Sequence, residues 1–139
     1  MTCIIALDVG TKTIGVAKVT LPGGLPTPHC TLSRRGVKDD VRRLRQIFQE
    51  LKVTMLVVGL PYELDGTEGR SARLARQVGE ALAEATQLPV HYQDERYSTV
   101  VADERLRAAG YDGHARKAKI DQAAAAVILG DFIDQRDED

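Results

Sequence analysis

At 139 residues the chain has the length of one ordinary domain, long enough to bury a core without a disulfide or a metal to hold it. Hydrophobic residues at 43% and charged residues at 28% exclude a disordered chain, and with aromatics at 4% and no Trp the core falls to Val, Ile, Leu and Ala. A net charge of −1 excludes a generic basic nucleic-acid coat. The opening apolar run is short and lacks the basic flank of a signal peptide. No later run approaches the ~20 apolar residues of a membrane span, so a cytoplasmic protein with no membrane partner is expected.

Ile4 to Leu7 is apolar and β-branched and predicts a buried strand ending at Asp8. Thr13 to Thr20 alternates loosely and predicts a second strand, joined to the first by a tight turn at Gly10 and Thr11. Leu21-Pro22-Gly23-Gly24 is a turn signal, followed by a third strand over Thr27 to Ser33. The period then changes. Val37, Val41, Leu44, Phe48 and Leu51 fall at steps of four and three, the apolar stripe of an amphipathic helix. Met55 to Val58 predicts a buried strand closed by Gly59 and Pro61, and Asp65-Gly66 a turn. Glu68 to Ala85 carries a wide apolar helical face, Pro89 to Tyr92 reads as a fifth strand, and helical patterns return at Ser98–Ala108 and Lys117–Asp134. Short links make the first three strands antiparallel, and helical crossovers make the later strands parallel to the first. The expectation is an α/β fold with a mixed five-stranded sheet flanked by helices, as a single domain over residues 1–139. Cys3 and Cys30 fall on strands and are expected reduced and buried.

Three acidic positions stand out. Asp8, in Asp8-Val9-Gly10-Thr11-Lys12, closes a buried strand, where a carboxylate is costly unless it is paired or holds a cation. An Asp that merely caps the turn explains it equally well. Gly10 admits a close ligand, and Thr11 and Lys12 suit a phosphate. Asp94-Glu95-Arg96 follows the fifth strand, whose C-terminal end shares an edge with Asp8 in a sheet of this order. A solvated surface pair is the plainer explanation, and alternation does not choose between Asp94 and Glu95. Asp121 precedes four alanines that let a helix pack closely on the sheet, with Lys117 one turn earlier and placed to pair with it. Acids converging from distant positions imply hard cations, Mg²⁺ or Mn²⁺ and as two ions, together with phosphate. Basic residues cluster at Arg34, Arg35, Lys38, Arg42, Arg43 and Arg45, at Arg70, Arg73 and Arg76, and at Arg116, Lys117 and Lys119. Solvated helix faces account for any one cluster, but together they make a polyanion a partner to test. The cysteines and histidines have no zinc spacing, and there is no Walker or dinucleotide glycine motif.

Asp8-Val-Gly-Thr-Lys-Thr-Ile-Gly-Val-Ala17, Val57-Val-Gly-Leu-Pro61 with Asp65-Gly-Thr-Glu-Gly69, Asp94-Glu-Arg-Tyr-Ser-Thr99 and Lys117-Ala-Lys-Ile-Asp121 occur in this order over nearly the whole chain. Together they resemble the YqgF family, which is similar to RuvC-type resolvases and has an RNase H-like fold. The resemblance implies an endonuclease acting on structured RNA or branched DNA, with two roles attached to the family: maturation of the 5′ end of pre-16S ribosomal RNA, and Holliday-junction resolution. It implies Asp8, Glu95 and Asp121 as metal-binding catalytic acids. Lys12, Arg96, Ser98, Thr99 and Lys117 are the expected phosphate contacts. Products with a 5′-phosphate and a 3′-hydroxyl, association with ribosomal precursors, and a monomer or homodimer follow from the same resemblance. Thr13 departs from the family, which usually has Arg there, and this leaves Lys12 as the cation of the loop. Two other classes compete. An ATPase of the actin and sugar-kinase type shares the Asp-Val-Gly-Thr loop but needs two such domains. A non-catalytic nucleic-acid-binding module would keep the fold without the chemistry.

Overall fold

The computed structural model describes residues 2–62, 65–95 and 97–138, the side chains of Asp137 and Glu138 excepted. The strands are β1 (Thr2–Val9), β2 (Thr13–Leu21), β3 (Thr27–Ser33), β4 (Val53–Leu60) and β5 (Val90–Asp94). The helices are α1 (Val37–Leu51), α2 (Arg70–Thr86), α3 (Ser98–Ala108) and α4 (Gly113–Glu138). The strands form one sheet in the order β3-β2-β1-β4-β5. β1 pairs antiparallel with β2, and β2 with β3, while β4 and β5 join in parallel. This is the mixed sheet expected from the element order, with β1 at its centre.

Period two divides β1 between two cores. Ile5, Leu7 and Val9 face α1 and α2, where they pack with Leu44, Phe48, Ala75, Val78 and Leu82. Ile4 and Ala6 face α4 and pack with Ala125, Ile128, Leu129 and Phe132. Helix α3 sits on the outside of α4, Ala102 against Ala124 and Val127. Asp8 continues the Ile4–Ala6 row, so its side chain lies on the α4 side of the sheet.

Several boundaries differ from the sequence expectation. β1 runs through Asp8 to Val9, and β4 covers more than Met55–Val58. β5 reaches Asp94 because the parallel ladder pairs it with Leu60, so the strand does not stop at Tyr92. Helix α4 starts at Gly113, well before Lys117. Asp112 caps it, its carboxylate accepting the Ala115 amide at 2.8 Å and its carbonyl the Arg116 amide at 2.8 Å. These first turns are mostly exposed and carry no apolar period, which is why the pattern misses them. Both cysteines are free and lie on strands, but Cys30 is only half-buried. Among the described residues no helix is long and apolar enough to cross a membrane.

Candidate active site

Asp8 lies opposite Gly15 of β2. At Gly15 the backbone of α4 comes so close that a Cβ would overlap the Asp121 carbonyl. Only glycine allows that approach, and it carries Asp121 to the side of Asp8. The Thr13 hydroxyl at the start of β2 donates a hydrogen bond to the Asp121 carboxylate, tying the helix to the strand. On the other flank, a Cβ at Gly59 of β4 would lie 2.8 Å from the Glu95 carboxyl carbon and 2.7 Å from Ile128 Cδ1. Gly59 is the gap into which Glu95 fits.

Glu95 follows β5 directly, its amide donating to the Leu60 carbonyl at 3.1 Å. Burial alternates past the end of the strand: Gln93 and Glu95 are buried and Asp94 is exposed. Thus Glu95, not Asp94, meets Asp8. The Ser98 hydroxyl donates to Glu95 Oε2 at 2.8 Å and fixes the carboxyl. Ser98 is itself buried with this bond, so it serves Glu95 and is not free toward solvent.

The acids are electrostatically unsettled. Burial pushes Asp8 up to about 6, and the charge of Asp121 adds to the rise, while a hydrogen bond from Glu95 opposes it. Burial pushes Glu95 up to about 8, reinforced by the charge of Asp8 and opposed by the Ser98 hydroxyl. Both carboxyls therefore hold a proton more tightly than a free acid, and Glu95, the more strongly raised, donates a hydrogen bond to Asp8. Among the described residues no three Asp, Glu, His or Cys side chains are already gathered as a metal cage. The donor set nevertheless fits a hard divalent cation: carboxylate oxygens from three separate elements, partly buried, each ionisation opposed by burial and by a neighbouring acid in the Asp8–Glu95 pair. A Gly59→Ala variant is expected to keep its stability within about 1 kcal/mol, because the atoms it meets are side-chain ends that can move. It should lose most of any metal affinity, measured by calorimetry, because one of those atoms belongs to Glu95.

The other expected residues separate. Lys12 is exposed in the turn beside Asp8. Arg96 lies outside the described residues. Thr99 and Lys117 line a groove of about 560 Å³ between α3 and α4, together with Val100, Asp103 and Arg116. Asp121 takes its hydrogen bond from Thr13, across the fold, and Lys117 points along that groove side, so the expected Lys117–Asp121 pair is replaced by a longer-range one.

Sequence reasoning missed what steadies the Asp8 turn. Arg34 donates from its backbone to the Lys12 carbonyl at 2.8 Å and from its guanidinium to the Gly10 carbonyl at 3.2 Å. The same guanidinium meets Asp40 at 3.0 Å, and Arg43 meets Asp40 at 2.6 Å. Asp40 is fully buried at the start of α1. Burial opposes its charge, but the Arg35 amide and the Arg34 and Arg43 guanidiniums hold its carboxyl below the usual range. Asp40→Asn is therefore expected to cost about 3 kcal/mol at pH 7. A carboxyl with a lowered folded pKa stabilises above its unfolded pKa and loses that effect as pH falls through the folded value. The gap between parent and Asp40→Asn should accordingly begin to narrow below about pH 4 and shrink further as the pH falls, as read by chemical denaturation. Gly15, Gly59 and Asp40 each left a faint trace: glycines inside apolar strands, and an Asp one turn before an Arg.

The sheet order and its acidic edge define a protein of the RuvC-like, RNase H-like fold. Two solved structures share that fold over nearly their whole length. Thermus thermophilus RuvC in complex with a Holliday junction substrate has a TM-score of 0.60 at 16% identity, covering 97% of this chain and 96% of that one. The fowlpox virus Holliday junction resolvase has a TM-score of 0.57 at 9% identity, covering 97% and 99%. Residues 2–135 match the family model described as "RuvX: Holliday junction resolvase", and the chain belongs to that family. A relative from Thermosynechococcus vestitus named "Putative pre-16S rRNA nuclease" is 41% identical over 99% of this chain and 91% of its own length. One of the same name from Crocosphaera subtropica is 37% identical over 95% and 92%.

Proposed function

We propose that this chain is a metal-dependent endonuclease of a single RNase H-like domain, hydrolysing phosphodiester bonds in structured nucleic acid. Processing of the 5′ end of pre-16S ribosomal RNA in the cytoplasm is the favoured role, in keeping with the names of the relatives. The observation that carries the reading is the convergence of Glu95 and Asp121 on Asp8, let in by Gly59 and Gly15, on the sheet edge where α/β folds bind ligands. Asp8, Glu95 and Asp121 would hold Mg²⁺ or Mn²⁺, as two ions. A bound divalent cation supplies the positive charge these carboxylates lack and Lewis acidity toward the scissile phosphate. Ser98 holds the Glu95 carboxyl in place, and Thr13 holds Asp121. Lys12, Arg96, Thr99 and Lys117 bind phosphates around the cut, and ribosomal precursors are the partners. Resolution of four-way DNA junctions is the second reading, favoured by the description of the matching family.

The purified protein is to be assayed on a hairpin RNA carrying the 5′ leader of 16S rRNA and on a four-way DNA junction, with Mg²⁺, with Mn²⁺ and with EDTA. Metal-dependent cleavage leaving a 5′-phosphate is expected, with RNA cut faster. Asp8→Asn that cuts as fast as the parent would remove Asp8 from the reaction and sink the reading. Tight binding without cleavage by the parent in either metal would favour the non-catalytic module.

A further inference from the structure

The basic segment between β3 and α1 divides into two kinds of residue. Arg34 and Arg43 have side chains 10% and 16% exposed and are occupied with Asp40. Arg35 and Arg42 have side chains 64% and 61% exposed. Lys38 and Arg45 are exposed as well. At about 100° per residue, Lys38, Arg42 and Arg45 fall within a stripe roughly 60° wide and about 10 Å long, with Arg35 at its head. They rim a depression of about 650 Å³ floored by Val37 and Val41. One carboxylate intrudes, Asp39, which accepts from Arg42 at 2.6 Å and also lies 3.4 Å from Arg43 and 4.0 Å from Arg35. Four exposed cations against one acid make this shoulder strongly positive, in a chain whose net charge is −1.

Its position is as telling as its charge. β3 runs parallel to β1, since each is antiparallel to β2, so it ends on the same edge as Asp8. The Arg34 amide bonded to the Lys12 carbonyl joins the head of the stripe to the Asp8 turn. We infer that Arg35, Lys38, Arg42 and Arg45 form a phosphate track that seats the backbone of a double-helical arm of the substrate leading away from the Asp8 edge. The spacing of the three helical cations, about 4.5 to 6 Å along the axis, suits a row of successive phosphates. The inference rests on the nuclease reading for its substrate, but its test does not need cleavage.

Binding of a fluorescent 20-base-pair RNA hairpin and of a four-way DNA junction is to be measured by anisotropy in EDTA across salt concentrations. The variant Lys38→Gln/Arg42→Gln/Arg45→Gln is compared with a control losing three exposed cations from the other side of the sheet, Arg105→Gln/Lys119→Gln/Arg136→Gln, after melting curves show that both fold. The stripe variant should bind at least about tenfold more weakly and lower the slope of log K against log salt by two to three, about one per lost phosphate contact. The control should change the slope by less than one. Preference for either probe identifies RNA or DNA as the source of the arm. Equal losses in both variants would overturn the track. So would stripe-dependent binding of poly-glutamate with none of either nucleic acid, which would assign the shoulder to an acidic protein. Asp8-dependent cleavage with an unchanged stripe variant would leave the nuclease standing and the track refuted, whereas stripe-dependent binding without any cleavage would do the reverse.

Discussion

Glu95→Gln is expected to melt above the parent at pH 8 in the absence of divalent cations, and to cleave more than about a hundredfold more slowly in their presence. The two effects have one source. Burial and the charge of Asp8 raise Glu95 to about 8, and burial and the charge of Asp121 raise Asp8 to about 6. A carboxyl whose folded pKa lies above its unfolded value keeps a proton in the native state that the unfolded chain has already released. Stability must then fall as pH rises through that window, here from about 4.5 to about 8. Below it both states are protonated and nothing is lost. Above it the full cost of two ionised carboxyls is present. Glutamine keeps the shape and the Ser98 hydrogen bond without the charge, so its melting temperature should stay nearly flat between about pH 6 and 8, with only the Asp8 contribution left below that.

A divalent cation should restore the parent and not the variant. Binding to the native state alone adds about 2.7 kcal/mol at a concentration a hundredfold above the dissociation constant. Melting curves at pH 8 with and without Mn²⁺ therefore separate two views of the acidic edge. If the parent gains no more than Glu95→Gln, the acids are a costly structural pair and not a cation site.

Gly15→Val carries the largest expected cost to the fold. The branched side chain would have to occupy the place of the Asp121 carbonyl, and backbone on both sides leaves nothing flexible to yield. Overpacking of this kind costs about 3 kcal/mol. That corresponds to a fall of about 10 °C in melting temperature for a domain of this size. Helix α4 must lift from β2, so Asp121 leaves Asp8 and the Thr13 hydrogen bond breaks. Activity should then fall further than stability explains, measured at a temperature where the variant is still folded. Gly59→Ala forms the contrast, because it meets only the tips of Ile128 and Glu95.

Local periodicity was enough for the order and type of the elements in this chain. Third strand, first helix and third helix appear at the bounds their residues predict: Thr27–Ser33, Val37–Leu51 and Ser98–Ala108. Asp8 and Asp121 also stand out in sequence, because an acid closing an apolar run or heading a string of alanines is locally expensive. Tertiary structure alone decided the rest. Glu95 rather than Asp94 turns inward because β5 extends along β4 as far as Asp94, and alternation then carries Glu95 under Gly59. Asp121 finds its partner in Thr13, 108 residues away, and not in Lys117 one turn before it. Six basic residues that look alike in sequence become two half-buried braces and four exposed cations only after Asp40 sinks into the core. Periods of 2 and 3.6 are properties of neighbouring residues and can be read along the chain. The meeting of carboxyls on a sheet edge depends on how closely distant backbones approach, which two glycines permit but whose partners no local pattern names.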